Sequence, residues 1–299
     1  MTIPAEILDH IVFWLLRERR AFSSISAFAL ASHRFRQVAF RRYFAALHVR
    51  SAVHWVRTCQ IVGTFTWVRS LEASTTFFRY KMDGLSHFTS LRSLELDFSG
   101  DGLSTQNSRA GLLFKNMTAA LIRLKLTHLP RIDSTLLSLV ASRFSSLETL
   151  ELSCTERLDI QCCWLCFEES STCVVHSPIP DAYVTAETLA RSFCRALTPL
   201  SALKSLHLGI FLSDADVLIR HLDRCAAVAI ASLRTGYYPA PPFGPSKCAV
   251  CRAKHETAVL ERERTTAALF KSLLPSLLVV GFSSWFSADR PKDASKGAT

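Results

Sequence analysis

The stretch Leu91-Arg92-Ser93-Leu94-Glu95-Leu96 decides how this chain is read, because its form, L-x-x-L-x-L, keeps returning. It recurs at Leu121-Ile122-Arg123-Leu124-Lys125-Leu126, at Leu147-Glu148-Thr149-Leu150-Glu151-Leu152 and at Leu203-Lys204-Ser205-Leu206-His207-Leu208. The starts lie 30, 26 and 56 residues apart, the last close to two such periods. A degenerate copy stands at Val68-Arg69-Ser70-Leu71-Glu72-Ala73, and a last one runs from Leu273 to Val279. Side chains alternate across a strand, so the leucines of each L-x-L point inward while the residues between them reach an open face. That alternation puts Glu95, Asp97, Lys125, Glu151 and His207 on one surface. Between the strands, Ser134 to Phe144, Ala186 to Leu197, Asp214 to Leu222 and Glu256 to Leu274 carry apolar residues at helical spacing and bring the chain back. Any α/β core supplies such a leucine strand once or twice; four clean copies near one period indicate a repeat.

Outward from the repeats, the N-terminus reads differently. In Ile3-Pro4-Ala5-Glu6-Ile7-Leu8-Asp9-His10-Ile11, Pro4 suits a first helical turn, where its missing N–H is not needed. Glu6 and Asp9 follow at the positive end of the helix dipole, with Arg17, Arg19 and Arg20 at the other end. Ile7, Leu8, Ile11, Leu15 and Leu16 form an apolar stripe. A second helical stretch is expected from about Ser24 to about Phe44. Two short amphipathic helices bury too little surface to stand alone, so their stripes need the rest of the chain or another protein.

These residues resemble an F-box, in which a Leu-Pro-x-Glu-Ile-x-x-x-Ile segment precedes a Leu-Val-Ser-Lys-Arg-Phe or Trp segment. Ile3-Pro4-Ala5-Glu6-Ile7 with Ile11 and Leu15, then Phe28-Ala29-Leu30-Ala31-Ser32-His33-Arg34-Phe35-Arg36, reproduce both halves in order. Two departures stand out: Ile3 replaces the usual leucine, and only two residues precede it. The plain alternative is a helical hairpin docked on its own domain. The L-x-x-L-x-L series in turn resembles leucine-rich repeats. It lacks the asparagine or cysteine expected three residues after the last leucine, where Ser99, Leu129, Thr155 and Phe211 stand. An F-box followed by irregular repeats, with a late segment from Leu274 to Trp285, is similar to large F-box families of mushroom-forming fungi.

Composition narrows the class. With 49% hydrophobic and 20% charged residues among 299, the chain can bury a sizeable core. No run of eighteen apolar residues appears, so a membrane span is not expected. Nor does the N-terminus show the basic region, apolar run and cleavage site of a secretory signal. Ten cysteines without such a signal point to free thiols in a reducing, intracellular compartment, cytoplasmic or nuclear. The net charge of +10 is spread without a long basic block. That pattern means a solvated surface or an acidic partner; nucleic acid calls for a basic stripe with interleaved aromatics.

Two cysteine groups carry the spacing of metal ligands: Cys163, Cys166, Cys173 and His176, then Cys248, Cys251 and His255. The first group holds the four ligands a zinc site needs, the second only three and would need a fourth from elsewhere; both fit buried thiols packing as small hydrophobes equally well. No phosphate-binding glycine loop, H-E-x-x-H or G-x-S-x-G motif occurs, so neither catalysis nor a cofactor is expected.

The resulting expectation is an α+β or α/β solenoid: a helical F-box over residues 1–48 and an irregular leucine-rich-repeat arc over 49–287. An inserted loop at about 162–180 and a disordered tail at 288–299 complete it. By its resemblance, the chain would be the substrate-recognition subunit of an SCF-type cullin-RING ubiquitin ligase. Ile3, Pro4, Ile7, Leu8, Ile11, Leu15, Leu30 and Phe35 match the motif positions that bury against a Skp-family adaptor, and through it reach a cullin. Glu95, Asp97, Lys125, Glu151 and His207 would meet a protein target. The rivals are a leucine-rich scaffold whose N-terminal helices only cap the repeats, burying Ile7 and Ile11, and a zinc-stabilised binding module.

Overall fold

The computed structural model describes residues 3–18, 21–60, 64–78, 82–154, 185–212, 248–284 and 286. Three helices come first: α1 (Ala5–Glu18), α2 (Phe22–Ala31) and α3 (His33–Tyr43). The single helix expected from Ser24 to Phe44 is therefore two. Ser32 sits between them in extended backbone, and its hydroxyl accepts from the Phe35 N–H at 3.1 Å, capping α3. Val12, Ile25, Ala29 and Ala39 form a small core between the three helices, edged by Leu16, Phe28, Val38, Phe40 and Tyr43. Arg42 reaches back to Asp9 at 3.3 Å.

A sheet begins at once: β1 (Ala46–His48), β2 (Ser70–Ser74), β3 (Ser93–Asp97), β4 (Arg123–Leu129), β5 (Thr149–Cys154), β6 (Ser205–Phe211) and β7 (Val279–Ser283). The seven strands are all parallel and lie in the order of the chain. Helices run between them: α4 (Ala52–Cys59), α5 (Thr64–Trp67), α6 (Gln106–Phe114), α7 (Ser134–Arg143), α8 (Ala186–Leu197) and α9 (Ala249–Leu273). Parallel neighbours require such crossovers, because a tight turn cannot reverse the chain twice. Helices α6, α7, α8 and α9 pack each on the next, forming one layer.

Two columns of side chains hold that layer to the sheet. Leu71, Leu94, Leu124, Leu150, Leu206 and Val280 stand in register across six strands, and Ala73, Leu96, Leu126, Leu152, Leu208 and Phe282 do the same two residues on. The leucines of both columns are buried, in one core with Leu136, Leu137, Val140, Leu189, Phe193 and Phe270 from the helices. At about 25 cal/mol per Å² of apolar surface, each fully buried leucine contributes roughly 1.5–3 kcal/mol.

The edge where the strands begin is equally regular. The Ala45 carbonyl accepts both the Arg69 and Ser70 N–H groups, and Arg69 accepts those of Arg92 and Ser93. The same two-for-one arrangement repeats at Arg92, Ile122, Glu148 and Lys204, the last holding Leu278 and Val279. Helix starts are capped by Ser51, Asp133 and Thr185, the last in a reciprocal pair with Thr188.

This architecture corrects the expected fold class. A helical F-box followed by a leucine-rich arc is not what the chain forms. The described residues build a single seven-stranded, all-parallel sheet with crossover helices, an α/β plan. The repeats were strands, as the alternation required, but the pattern of single strands does not say how many join or where the sheet starts. Here it starts at Ala46, directly after α3, and Phe40 and Phe44 of the N-terminal part stand 6.4 Å from Trp67. The expected helix from Asp214 to Leu222, the loop at 162–180 and the tail at 288–299 lie outside the described residues. Among the described residues, no helix is long and apolar enough to cross a membrane.

Candidate functional site

Parallel sheets with helices on both sides have strands that are apolar throughout. These strands alternate instead. Opposite the leucine columns stand Ser70, Glu72 and Ser74 of β2, Ser93, Glu95 and Asp97 of β3, Arg123, Lys125 and Thr127 of β4, and Thr149, Glu151 and Ser153 of β5, all exposed or half-buried. The register joins them into rows. One row reads His48, Glu72, Glu95, Lys125, Glu151, His207 and Gly281 from β1 to β7. Four of the five residues expected to meet a target (Glu95, Lys125, Glu151 and His207) therefore lie on one line. The fifth, Asp97, is two residues further along β3 on the same face.

Cross-strand polar contacts organise the row. Lys125 Nζ lies 3.0 Å from Glu95, and His48 Nδ1 lies 2.6 Å from Glu72. These pairs are open to water and contribute little to folding; they hold side chains in place on the surface. His207 is accommodated by a glycine: a Cβ on Gly281 would come within 2.7 Å of the His207 Nδ1, so a side chain there would displace the ring.

A bulge shapes the far end of β4. The register to β5 slips between Leu126 and Leu129, and His128 adopts φ 52°, a left-handed conformation that side chains other than glycine rarely take. Its Nδ1 stands 2.9 Å from Asp97, whose carboxylate also accepts the Ser99 N–H and hydroxyl. The Asp101 carboxylate, its side chain 3% exposed, accepts from Thr75 and Arg109. Gln106, also buried, holds the Arg131 backbone with both ends of its amide, at 2.8 and 2.9 Å. Asp97 is thus held by His128 from β4 and by Ser99 just past its own strand.

The second surface is the outside of the N-terminal helices. Ile3, Ile7, Ile11 and Leu15 are 46%, 52%, 39% and 38% exposed, and Leu30 is 74% exposed. Pro4 is exposed beside them. Phe13 and Trp14 add aromatic area, with Arg17 over the Trp14 ring at 4.7 Å and Arg42 over Phe13 at 5.1 Å. Two of the eight expected contact residues are placed otherwise. Leu8 is fully buried, because α1 turns it inward together with Val12. Phe35 is half-buried and stacks on Phe28 at 4.7 Å.

Sequence reasoning missed His48 altogether and left Glu72 unassigned. The signal for Glu72 was present in the degenerate copy at Val68 to Ala73; β1, three residues long, is too short to show alternation.

Other chemistry finds less footing. Burial pushes the Cys194 thiol up to about 12 and the Cys154 thiol up to about 11, the latter opposed in part by a hydrogen bond to the Ile132 backbone. Thiols so placed are poor nucleophiles. Among the described residues, no three His, Cys, Asp or Glu side chains are grouped to hold a metal ion, and Cys248, Cys251 and His255 are included in that statement. Cys163, Cys166, Cys173 and His176 lie outside the described residues. A cavity of about 170 Å³ at the edge where β2 and β3 begin is lined by Arg69, Thr89, Ser90, Leu91, Arg92 and Ala120. That is small beside the several hundred Å³ usual for a small-molecule pocket. No family model matches the chain, and no curated protein does.

Proposed function

We propose that this chain is the substrate-recognition subunit of an SCF-type ubiquitin ligase. In this reading α1 to α3 dock on a Skp-family adaptor and through it on a cullin, the open face of the sheet holds a protein target, and the chain performs no chemistry itself. Its compartment would be intracellular, in keeping with Cys154 and Cys194 standing outside any disulfide. The observation that carries the reading is the exposure of Ile3, Ile7, Ile11, Leu15 and Leu30 on helices that are already packed on one another. Ile7, Ile11 and Leu15 recur every four residues on α1 and so share one exposed face, and an apolar face left in water marks a docking site. A helix set that merely capped the sheet would bury Ile7 and Ile11, which are exposed. Charge agrees: the first 45 residues hold seven arginines (Arg17, Arg19, Arg20, Arg34, Arg36, Arg41 and Arg42) against Glu6, Asp9 and Glu18, which suits an acidic adaptor.

The test is co-purification with a Skp-family adaptor, comparing the native chain with a Pro4→Ala, Ile7→Asp double variant. Stoichiometric binding by the native chain and at least roughly hundredfold weaker binding by the variant, with unchanged thermal unfolding, is the expected result. A folded native chain that binds no adaptor would end the ligase reading.

A further inference from the structure

The open face is acidic on a basic protein. Glu72, Glu95, Asp97 and Glu151 face Lys125 and Arg123, leaving two carboxylates in excess with histidines neutral, whereas the whole chain carries +10. The charges are graded along the strands. On this face Arg123 stands where β4 begins, beside Ser70 and Ser93; the Glu72, Glu95 and Glu151 row follows, and Asp97 lies beyond it. Glu95 is matched by Lys125 and Glu72 by His48. Glu151 takes part in no ion pair among the described residues, although it sits mid-row between Lys125 and His207.

We infer that the open face takes a basic, extended protein segment lying across the strands, with a Lys or Arg side chain set against Glu151. This deepens the target-binding reading above and rests on it. Seven strands spaced about 4.8 Å apart give a row of about 29 Å, which an extended segment of about nine residues would span. Alternate side chains of such a segment face the sheet, so one basic residue in two can meet the row. Arg123, on the open face where β4 begins, repels the segment from that edge and keeps it over the carboxylates. A nucleic acid is disfavoured by the same row. Because the protein as a whole is strongly positive, a basic peptide is drawn to this face by local field and not by net charge.

The experiment is fluorescence anisotropy with the full chain and three labelled peptides of about nine residues, alternating serine with lysine, glutamate or glutamine. The lysine peptide is expected to bind, and to bind less well as salt rises. Glu151→Lys should weaken it roughly tenfold and Lys125→Glu should tighten it by a similar factor. Damage to the fold cannot produce tightening, so the second variant separates charge from structure. Lysine-peptide binding that is indifferent to both substitutions, or no stronger than that of the glutamine peptide, would overturn the inference. If the glutamine or glutamate peptide binds and responds to these substitutions, the inference fails while the target-binding face stands. If no peptide responds to any face substitution, both fall.

Discussion

The outside of α1 to α3 and the open face of the sheet are both in contact with water, yet they are built by opposite rules. The helices expose isoleucine, leucine, phenylalanine and tryptophan, and their excess charge is positive. The sheet exposes serine, threonine and carboxylates, and its excess charge is negative. Position on the helices is loosely determined: a small core of Val12, Ile25, Ala29 and Ala39 sets their packing. Position on the sheet is fixed by register, because a slip of one residue would carry the leucines to the open side. The contrast teaches that one chain can carry an apolar surface and a patterned polar one side by side; under the proposed function the first would meet the adaptor and the second the target. Apolar area supplies affinity, and placed charge supplies discrimination.

The sharpest way to break this comparison is to truncate one apolar residue in each region. Leu126→Ala empties a site that is 0% exposed in the middle of the sheet and should cost about 2–5 kcal/mol in urea unfolding. Ile11→Ala, on the exposed side of α1, should stay within about 0.5 kcal/mol. Equal losses would mean that the helices are as deeply built into the fold as the sheet.

A smaller effect probes how tightly register holds the strands. A Cβ on Gly209 would meet the Ser153 Cα at 2.6 Å and the Leu152 carbonyl oxygen at 2.8 Å, both backbone atoms that cannot swing aside. Gly209→Ala should therefore cost about 1–3 kcal/mol. Gly102→Ala, with nothing within 4 Å, should be near neutral in the same unfolding assay.

The smallest expected effect is on pH. Cys154 and Cys194 are held protonated in the folded chain to about 11 and about 12, while their unfolded value is 9.0. The unfolded chain therefore loses its thiol protons first as pH rises. The stability these groups support is complete below pH 9 and drains away above it, through 11 and 12. Unfolding midpoints should fall over that window in the native chain and fall less in a Cys194→Ala variant. At pH 8, iodoacetamide should leave both thiols unmodified until the chain is unfolded.

How much of this was legible follows from the length scale of each signal. The leucine columns were visible because L-x-x-L-x-L states both the strand and its inner face. The line from Glu95 through Lys125 and Glu151 to His207 came with it, since alternation alone puts those residues opposite the leucines. The continuity of the sheet was not visible, because pairing between strands is made by backbone groups that every residue carries. Three residues at Ala46 to His48 cannot show a period, so the sheet's first strand and its histidine went unseen. The split at Ser32 was hidden because a serine capping a new helix looks like a serine inside an old one. Leu8 lies on the same stripe as Ile7 and Ile11; which side of α1 the other helices cover depends on packing that spacing does not specify.

The two-for-one carbonyls that begin each strand have a further consequence. The same arrangement joins Arg69 to Arg92 and Ser93 across a short crossover, and Lys204 to Leu278 and Val279 across a much longer one. Alignment at the strand starts is therefore independent of how much chain runs between them. Loops and helices behind the sheet can lengthen, shorten or diverge without moving the carboxylate row by a single position. A lineage built on this plan is free to vary its back while conserving the spacing of its front, or to rewrite the front one side chain at a time on a frame that does not shift.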